Sequence, residues 1–174
     1  GFFLLGILSG TADGDAASLA YILIYALITV GTFAVVLSLS GPNREAERLN
    51  DYKGLGLVHP WLAFLMLLLM ISLAGFPPTL GFFAKLVVLQ AVIDVGLVWV
   101  AVGAVLFAVI GAFYYLRIVK LMYFDAPADN SPMLNVDKAV PVILSVNALA
   151  MVLVMPWLGL LADLCQDVVR SAVG

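Results

Sequence analysis

Lys85 is the only charged residue between Pro60 and Ile93. It stands seven residues past Pro78 and nine before Asp94, so on a straight helix it lies roughly 10 Å from one end and about 13 Å from the other. Lysine at the centre of a bilayer costs about 2.5–3.5 kcal/mol on insertion scales, and such residues generally face a bundle interior and mark an ion or proton path. An amine in that setting can be held charged or neutral. It can therefore accept a proton from one side, keep it, and release it when a nearby charge appears. The competing reading is a lysine whose stem stretches along the helix so that the ammonium snorkels to the nearer interface.

The segment carrying Lys85 must be interrupted. Pro60 to Ile93 is 34 residues, which as one helix would be roughly 51 Å, too long for a hydrocarbon core of about 30 Å. The interruption is legible at Gly75, Pro77 and Pro78, because two consecutive prolines remove two backbone donors and push the preceding residues out of the α region. Gly81 follows at once, and only 15 residues remain from Thr79 to Ile93. A short segment interrupted by proline and glycine is the sign of a discontinuous transporter helix. Such breaks are tolerated at membrane depth where they are buried in protein or border a hydrated cavity.

Further polar groups fall on the preceding span. Tyr21, Tyr25, Thr29 and Thr32 are spaced by four, four and three residues, so they share one helix face and could hold a chain of waters. The plainer alternative is that these hydroxyls return to their own backbone or join neighbouring helices. Gln90, Ser145 and Asn147 are read as packing hydrogen bonds, Tyr114, Tyr115 and Arg117 as an interfacial belt, and His59 as a helix-start residue.

Composition fixes the setting. Of 174 residues, 64% are apolar and 11% charged, with a mean hydropathy of +1.16. Soluble chains carry roughly 25% charge, so this is an integral membrane protein of the all-α class, a polytopic helix bundle. Eight basic residues, scattered and without a cluster, exclude nucleic acid as a partner. One cysteine and one histidine cannot supply an iron–sulfur, haem or structural zinc site, so no cofactor and no metal are expected on this chain. No phosphate-cradling loop or nucleophile–base constellation occurs in a plausible context.

The chain reads as a single membrane domain over 1–174, with spans at about 16–40, 60–76, 79–93, 97–124 and 139–163 and an N-terminal helix remnant over 1–8, as though it began inside a helix. Gly41-Pro42-Asn43 closes the first span, the charged run 44–48 opens a connector over 41–59, and 125–138 reads as a water-facing loop. Pro156 should kink the last span. With five spans, Arg44, Arg48, Lys53 and Arg170 fall on one side and Arg117, Lys120 and Lys138 on the other, which sets no orientation.

The string Ser72-Leu73-Ala74-Gly75-Phe76-Pro77-Pro78-Thr79-Leu80-Gly81-Phe82-Phe83-Ala84-Lys85 resembles the signature of the antiporter-like membrane subunits of respiratory complex I and its relatives. Asp51 to Gly56 upstream and Tyr114 to Phe124 downstream extend the likeness over nearly the whole chain. The resemblance implies the C-terminal half of a subunit built from two inverted repeats, each with a discontinuous helix carrying a buried ionisable residue. Lys85 matches the lysine of the second such helix, the proton carrier. It further implies a subunit of a proton-translocating NADH:quinone oxidoreductase with no redox centre and no direct NADH or flavin binding on this chain. Such a subunit sits multi-pass in the bacterial inner (plasma) membrane, among lipid and the other membrane-arm subunits, with the 41–59 connector on the periplasmic side. Two alternatives stand beside it: a subunit of a multisubunit cation/proton antiporter, which shares the signature, and a non-pumping scaffold whose Lys85 pairs with a neighbouring subunit.

Overall fold

The computed structural model describes residues 1–40, 48–127 and 139–173. The Gly41-Pro42-Asn43 breaker, the charged positions 44–47 and most of the 125–138 loop lie outside the described residues. The described residues form helices α1 (Phe2–Leu8), α2 (Ala12–Leu39), α3 (Leu55–Val58), α4 (Pro60–Ala74), α5 (Leu80–Asp94), α6 (Val98–Phe124), α7 (Ala139–Leu153) and α8 (Leu158–Val173), with no strand among them. Mean hydropathy and length qualify α2 and α6 to cross a membrane unaided, and α7 with α8 qualify as a bent pair. The chain is an all-α polytopic membrane bundle.

Local chemistry explains most of the helix ends. α2 starts at Ala12, four residues before the expected span start at Ala16, because Thr11 caps it, its hydroxyl accepting from Gly14 N at 3.1 Å. Asp13 and Asp15 in the first turn meet the positive end of the helix dipole, so two charges that seemed to exclude this stretch instead begin it. α1 folds back on α2 through Gly10, whose φ of +64° suits glycine. The two helices touch where Gly6 faces Gly14, and Ser18 Oγ donates to Phe3 O at 2.9 Å. This hairpin fixes Phe2.

The stretches 60–76 and 79–93, expected as separate spans, run end to end. Gly54 N, just ahead of α4, donates to Leu121 O at 3.0 Å near the far end of α6. The break and α5, in contrast, line a cavity together with Val105, Ala108, Val109 and Ala112, nearer the start of α6. Two 15-residue helices of roughly 22 Å each thus make one passage beside the single α6 rod of roughly 40 Å. The segment breaks but does not fold back. Lys53 therefore lies at the same end of the bundle as Arg117 and Lys120, and the side-by-side charge count based on two crossings does not hold.

The core is built from α2, α4, α6 and α7, with Ile28, Val35, Leu65, Met66, Leu69, Met122, Ala148 and Met151 all buried. Its outside is apolar too. Leu27, Val30, Phe33 and Leu37 on α2, and Val102, Leu106, Phe107, Val109, Ile110 and Phe113 on α6, are exposed, as expected of a bundle whose solvent is hydrocarbon. Trp99 (87% exposed) and Tyr123 stand near opposite ends of α6. The last segment bends by 58°, where Pro156 sits in the 3-10 turn Met155–Trp157. α8 then continues past residue 163 as an amphipathic helix with Asp163, Gln166, Asp167 and Arg170 on one face.

Candidate functional site

The end of α4 prepares the seat for Lys85. A helix leaves its last four carbonyls without intrahelical partners. Gly75, at φ +86°, lets the chain turn back so that its N–H reaches Ile71 O and Ser72 O at 3.0 and 3.1 Å, and Phe76 N reaches Ile71 O at 3.1 Å. The two carbonyls left over are those of Leu73 and Ala74. Lys85 Nζ donates to both, at 2.8 and 2.9 Å. The amine of α5 thereby completes the cap of α4, where a positive charge also meets the negative end of the helix dipole.

The break is shaped to permit this. Pro77 and Pro78 are joined by a cis peptide, and Thr79 Oγ1 donates to Phe76 O at 2.7 Å. Gly81 begins α5 so close to α4 that a Cβ there would collide with the Ser72 carbonyl, and Gly81 N donates to Ser72 Oγ at 3.2 Å. A Cβ on Gly75 would meet Lys85 Cδ and Nζ at 3.0 Å. All four residues read as the break, Gly75, Pro77, Pro78 and Gly81, therefore take part in it, two of them by leaving room.

The Lys85 amine reaches the α4 end of the break. Its nitrogen lies 5.6 Å from the centre of the Phe2 ring, a cation–π distance, and among the described residues no carboxylate is paired with it. Two cavities meet at its side chain. The larger, of about 270 Å³, is lined by Phe2, Phe76, Phe82, Leu86 and other apolar groups, with Lys85 its only ionisable one. The smaller, of about 10 Å³, is lined by Tyr21, Tyr25, Ser72, Leu73, Gly81 and Lys85 between Ile24 and Ile28.

The stripe on α2 is divided. Tyr21 and Tyr25 line the smaller cavity with the lysine, stacked on one another at 5.9 Å, and Phe2 stacks with Tyr21 at 5.7 Å. Thr32 spends its hydroxyl on Ile28 O at 2.9 Å. Thr29 Oγ1 is buried without a hydrogen-bond partner and does not line the lysine's cavity. Ser145 accepts from Trp61 Nε1 and donates to Pro141 O, and Asn147 Nδ2 donates to Leu27 O, so both join helices. Gln90, Tyr114 and Arg117 are exposed, Tyr115 is half-buried against the core, and His59 precedes α4. Among the described residues no three His, Cys, Asp or Glu come together as a metal site.

The sequence pattern missed Phe2 and the two carbonyls. The carbonyls had a signal, since glycine after an apolar run marks a helix end with open acceptors. Phe2 had none, because only the α1–α2 hairpin brings it near.

A membrane helix bundle with a Gly/Pro break that seats a lysine is the class defined by this fold and site. The chain belongs to the NADH:quinone oxidoreductase/Mrp antiporter transmembrane family, whose model matches residues 1–111 and so includes the Ser72–Lys85 string. Relatives named NADH-quinone oxidoreductase subunit N are 51% identical in Thiobacillus denitrificans, over all of this chain and 35% of the relative, and 50% identical in Thioalkalivibrio sulfidiphilus, over 97% of this chain and 35% of the relative. A chain of respiratory complex I from Thermus thermophilus with bound aureothin superposes with a TM-score of 0.78 at 26% identity, covering 93% of this chain and 36% of its own length. The chain thus spans about a third of the length of the relatives it matches.

Proposed function

We propose that this chain belongs to a proton-translocating membrane subunit of a bacterial inner-membrane NADH:quinone oxidoreductase, and that Lys85 is its proton carrier. The family and the relatives' names support the first part. The second rests on one observation: a half-buried ammonium at a helix break, held by the Leu73 and Ala74 carbonyls and, among the described residues, not by a counter-charge. Carbonyls and a ring face steady the charged amine without locking it as a carboxylate does, so a charge arriving from elsewhere in the complex can tip its proton affinity. Quinone reduction then takes place on other subunits, and this chain answers in protons.

The test replaces Lys85 by Met in the intact complex and measures proton pumping alongside quinone reduction. Loss of pumping per electron with normal assembly is expected. Unchanged pumping in the assembled complex would falsify the role, and a loss that merely tracks the amount of assembled complex would make Lys85 a scaffold residue. Cation/proton exchange without quinone reduction would instead place the chain in an antiporter.

A further inference from the structure

Resting on that reading, we infer that Phe2 is a positioning residue for the proton carrier: its ring face favours the ammonium form of Lys85 over the neutral amine and so sets the pH at which the carrier loads. The Leu73 and Ala74 carbonyls discriminate only in part. A neutral amine keeps two N–H bonds, enough for both acceptors, although those bonds are stronger when the donor is charged. A ring face responds to the charge itself. Its quadrupole attracts an ammonium within about 6 Å of the centroid and gives a neutral amine at most a weak N–H contact. Lys85 Nζ stands 5.6 Å from the centre of the Phe2 ring.

Contacts on two helices hold the ring there. It stacks with Tyr21 of α2, the centroids 5.7 Å and the planes 22° apart. It also packs against the cluster of Ala17 from α2 with Val88 and Ala91, which follow Lys85 on α5. The hairpin behind it is closed where Gly6 meets Gly14 and where Ser18 Oγ donates to Phe3 O at 2.9 Å. The ring is thus tied both to the helix beside the lysine and to the lysine's own helix, a fixed face that need not turn to meet the charge. Phe76 and Phe82 line the larger cavity too, but among the described residues Phe2 is the ring in cation–π contact with the nitrogen.

Among the described residues no nearby charge overrides this ring. α1, α4 and α7 carry no charged or titratable side chain, and neither do Val105, Ala108, Val109 and Ala112, where α6 lines the cavity. Asp94 stands nine residues on from Lys85 along α5, Asp13 and Asp15 belong to the first turn of α2, and Arg117 and Lys120 to the far end of α6. Tyr21 and Tyr25 of α2 share the smaller cavity with Lys85, and Tyr115 of α6 lies near them. Phenols are neutral below about pH 10, so over that range the pull of the ring is not masked by a counter-charge.

The experiment uses the whole complex and follows, across pH, the share of pumping that depends on Lys85, defined as wild type minus Lys85→Met. Phe2 is replaced by mono-, di- and trifluorophenylalanine, which keep the shape of the ring while draining electron density from its face step by step. The alkaline limit of the Lys85-dependent share should move to lower pH with each step, because a weaker face holds the ammonium less firmly. Removing the ring altogether in Phe2→Leu should move that limit by about 0.5–1 pH unit, the worth of a cation–π contact at a half-buried site. The same fluorinated residues at Phe82, which lines the cavity without such a contact, should leave the limit where it is. A packing role would answer to Phe2→Leu and not to the fluorine series. If the Phe2 series leaves the limit unmoved while Lys85→Met abolishes pumping, the role of the ring is wrong and the proton-carrier reading stands. An equal shift from Phe82 overturns it in the same way. If Lys85→Met itself pumps like wild type, both fall.

Discussion

Lys85 Nζ lies 2.8 Å from the carbonyl oxygen of Leu73, twelve residues earlier on the far side of the helix break. The same amine that is proposed to carry the proton is thus a structural cap. Changing its charge changes how well the end of α4 is satisfied.

Gly75→Ala should destabilise the protein by about 1–2 kcal/mol, the cost of a side chain in the left-handed region. It should also displace the ammonium, which the new methyl would crowd at 3.0 Å. Thermal unfolding in detergent reads the first effect and pumping the second.

Gly81→Val should be worse, since its Cβ runs into the Ser72 backbone, which cannot swing aside as a side chain can. We expect loss of folded protein at 37 °C. Gly103→Ala, where a Cβ meets nothing within 4 Å, is the matched control and should be neutral or slightly stabilising through helix propensity.

Thr32→Val should change stability by no more than about 0.5 kcal/mol and leave pumping intact, because its hydroxyl only returns to Ile28 O of its own helix. A loss of pumping comparable with that of Lys85→Met would show that proton traffic passes through this hydroxyl.

Gly31→Ala should cost about 1–3 kcal/mol by overpacking, as its Cβ collides with the Asn147 side chain and sits 3.1 Å from Leu69. Asn147→Ala should suppress that cost. The pair is a double-mutant cycle read by unfolding in detergent.

Outside the membrane-spanning segments, burial pushes the Tyr52 phenol above its ordinary value of 10, and the Asp51 carboxylate adds to the rise. A raised value favours the folded state fully below pH 10, and that contribution is lost as pH climbs through the folded value. Tyr52→Phe should therefore flatten the alkaline loss of stability above about pH 10. Unfolding curves across that window would be as steep as wild type if the phenol were not involved.

Pro77-Pro78 and Gly75 are local signals, since each alters the backbone whatever surrounds it, and the break lies where they stand. Lys85 was conspicuous because charge in an apolar run is costly anywhere. The single passage of α4 and α5 was not legible. Length shows that 34 residues are too many for one straight helix, but whether the chain reverses at the break depends on packing against α6. Periodicity placed Tyr21, Tyr25, Thr29 and Thr32 on one face, yet which hydroxyl turns inward depends on side-chain rotamers and neighbours. A threonine has a backbone oxygen one turn below it, and a tyrosine hydroxyl reaches past its own helix.

In α6 the backbone is an unbroken series of peptide bonds and hydrogen bonds from Val98 to Phe124. Beside it, the helical hydrogen-bond ladder of α4 and α5 is interrupted between Ala74 and Leu80, and the amine of Lys85 bridges the gap together with the covalent turn. On the proposed reading the strength of that bridge follows one hydrogen nucleus, so the event that moves charge would also slacken a strut.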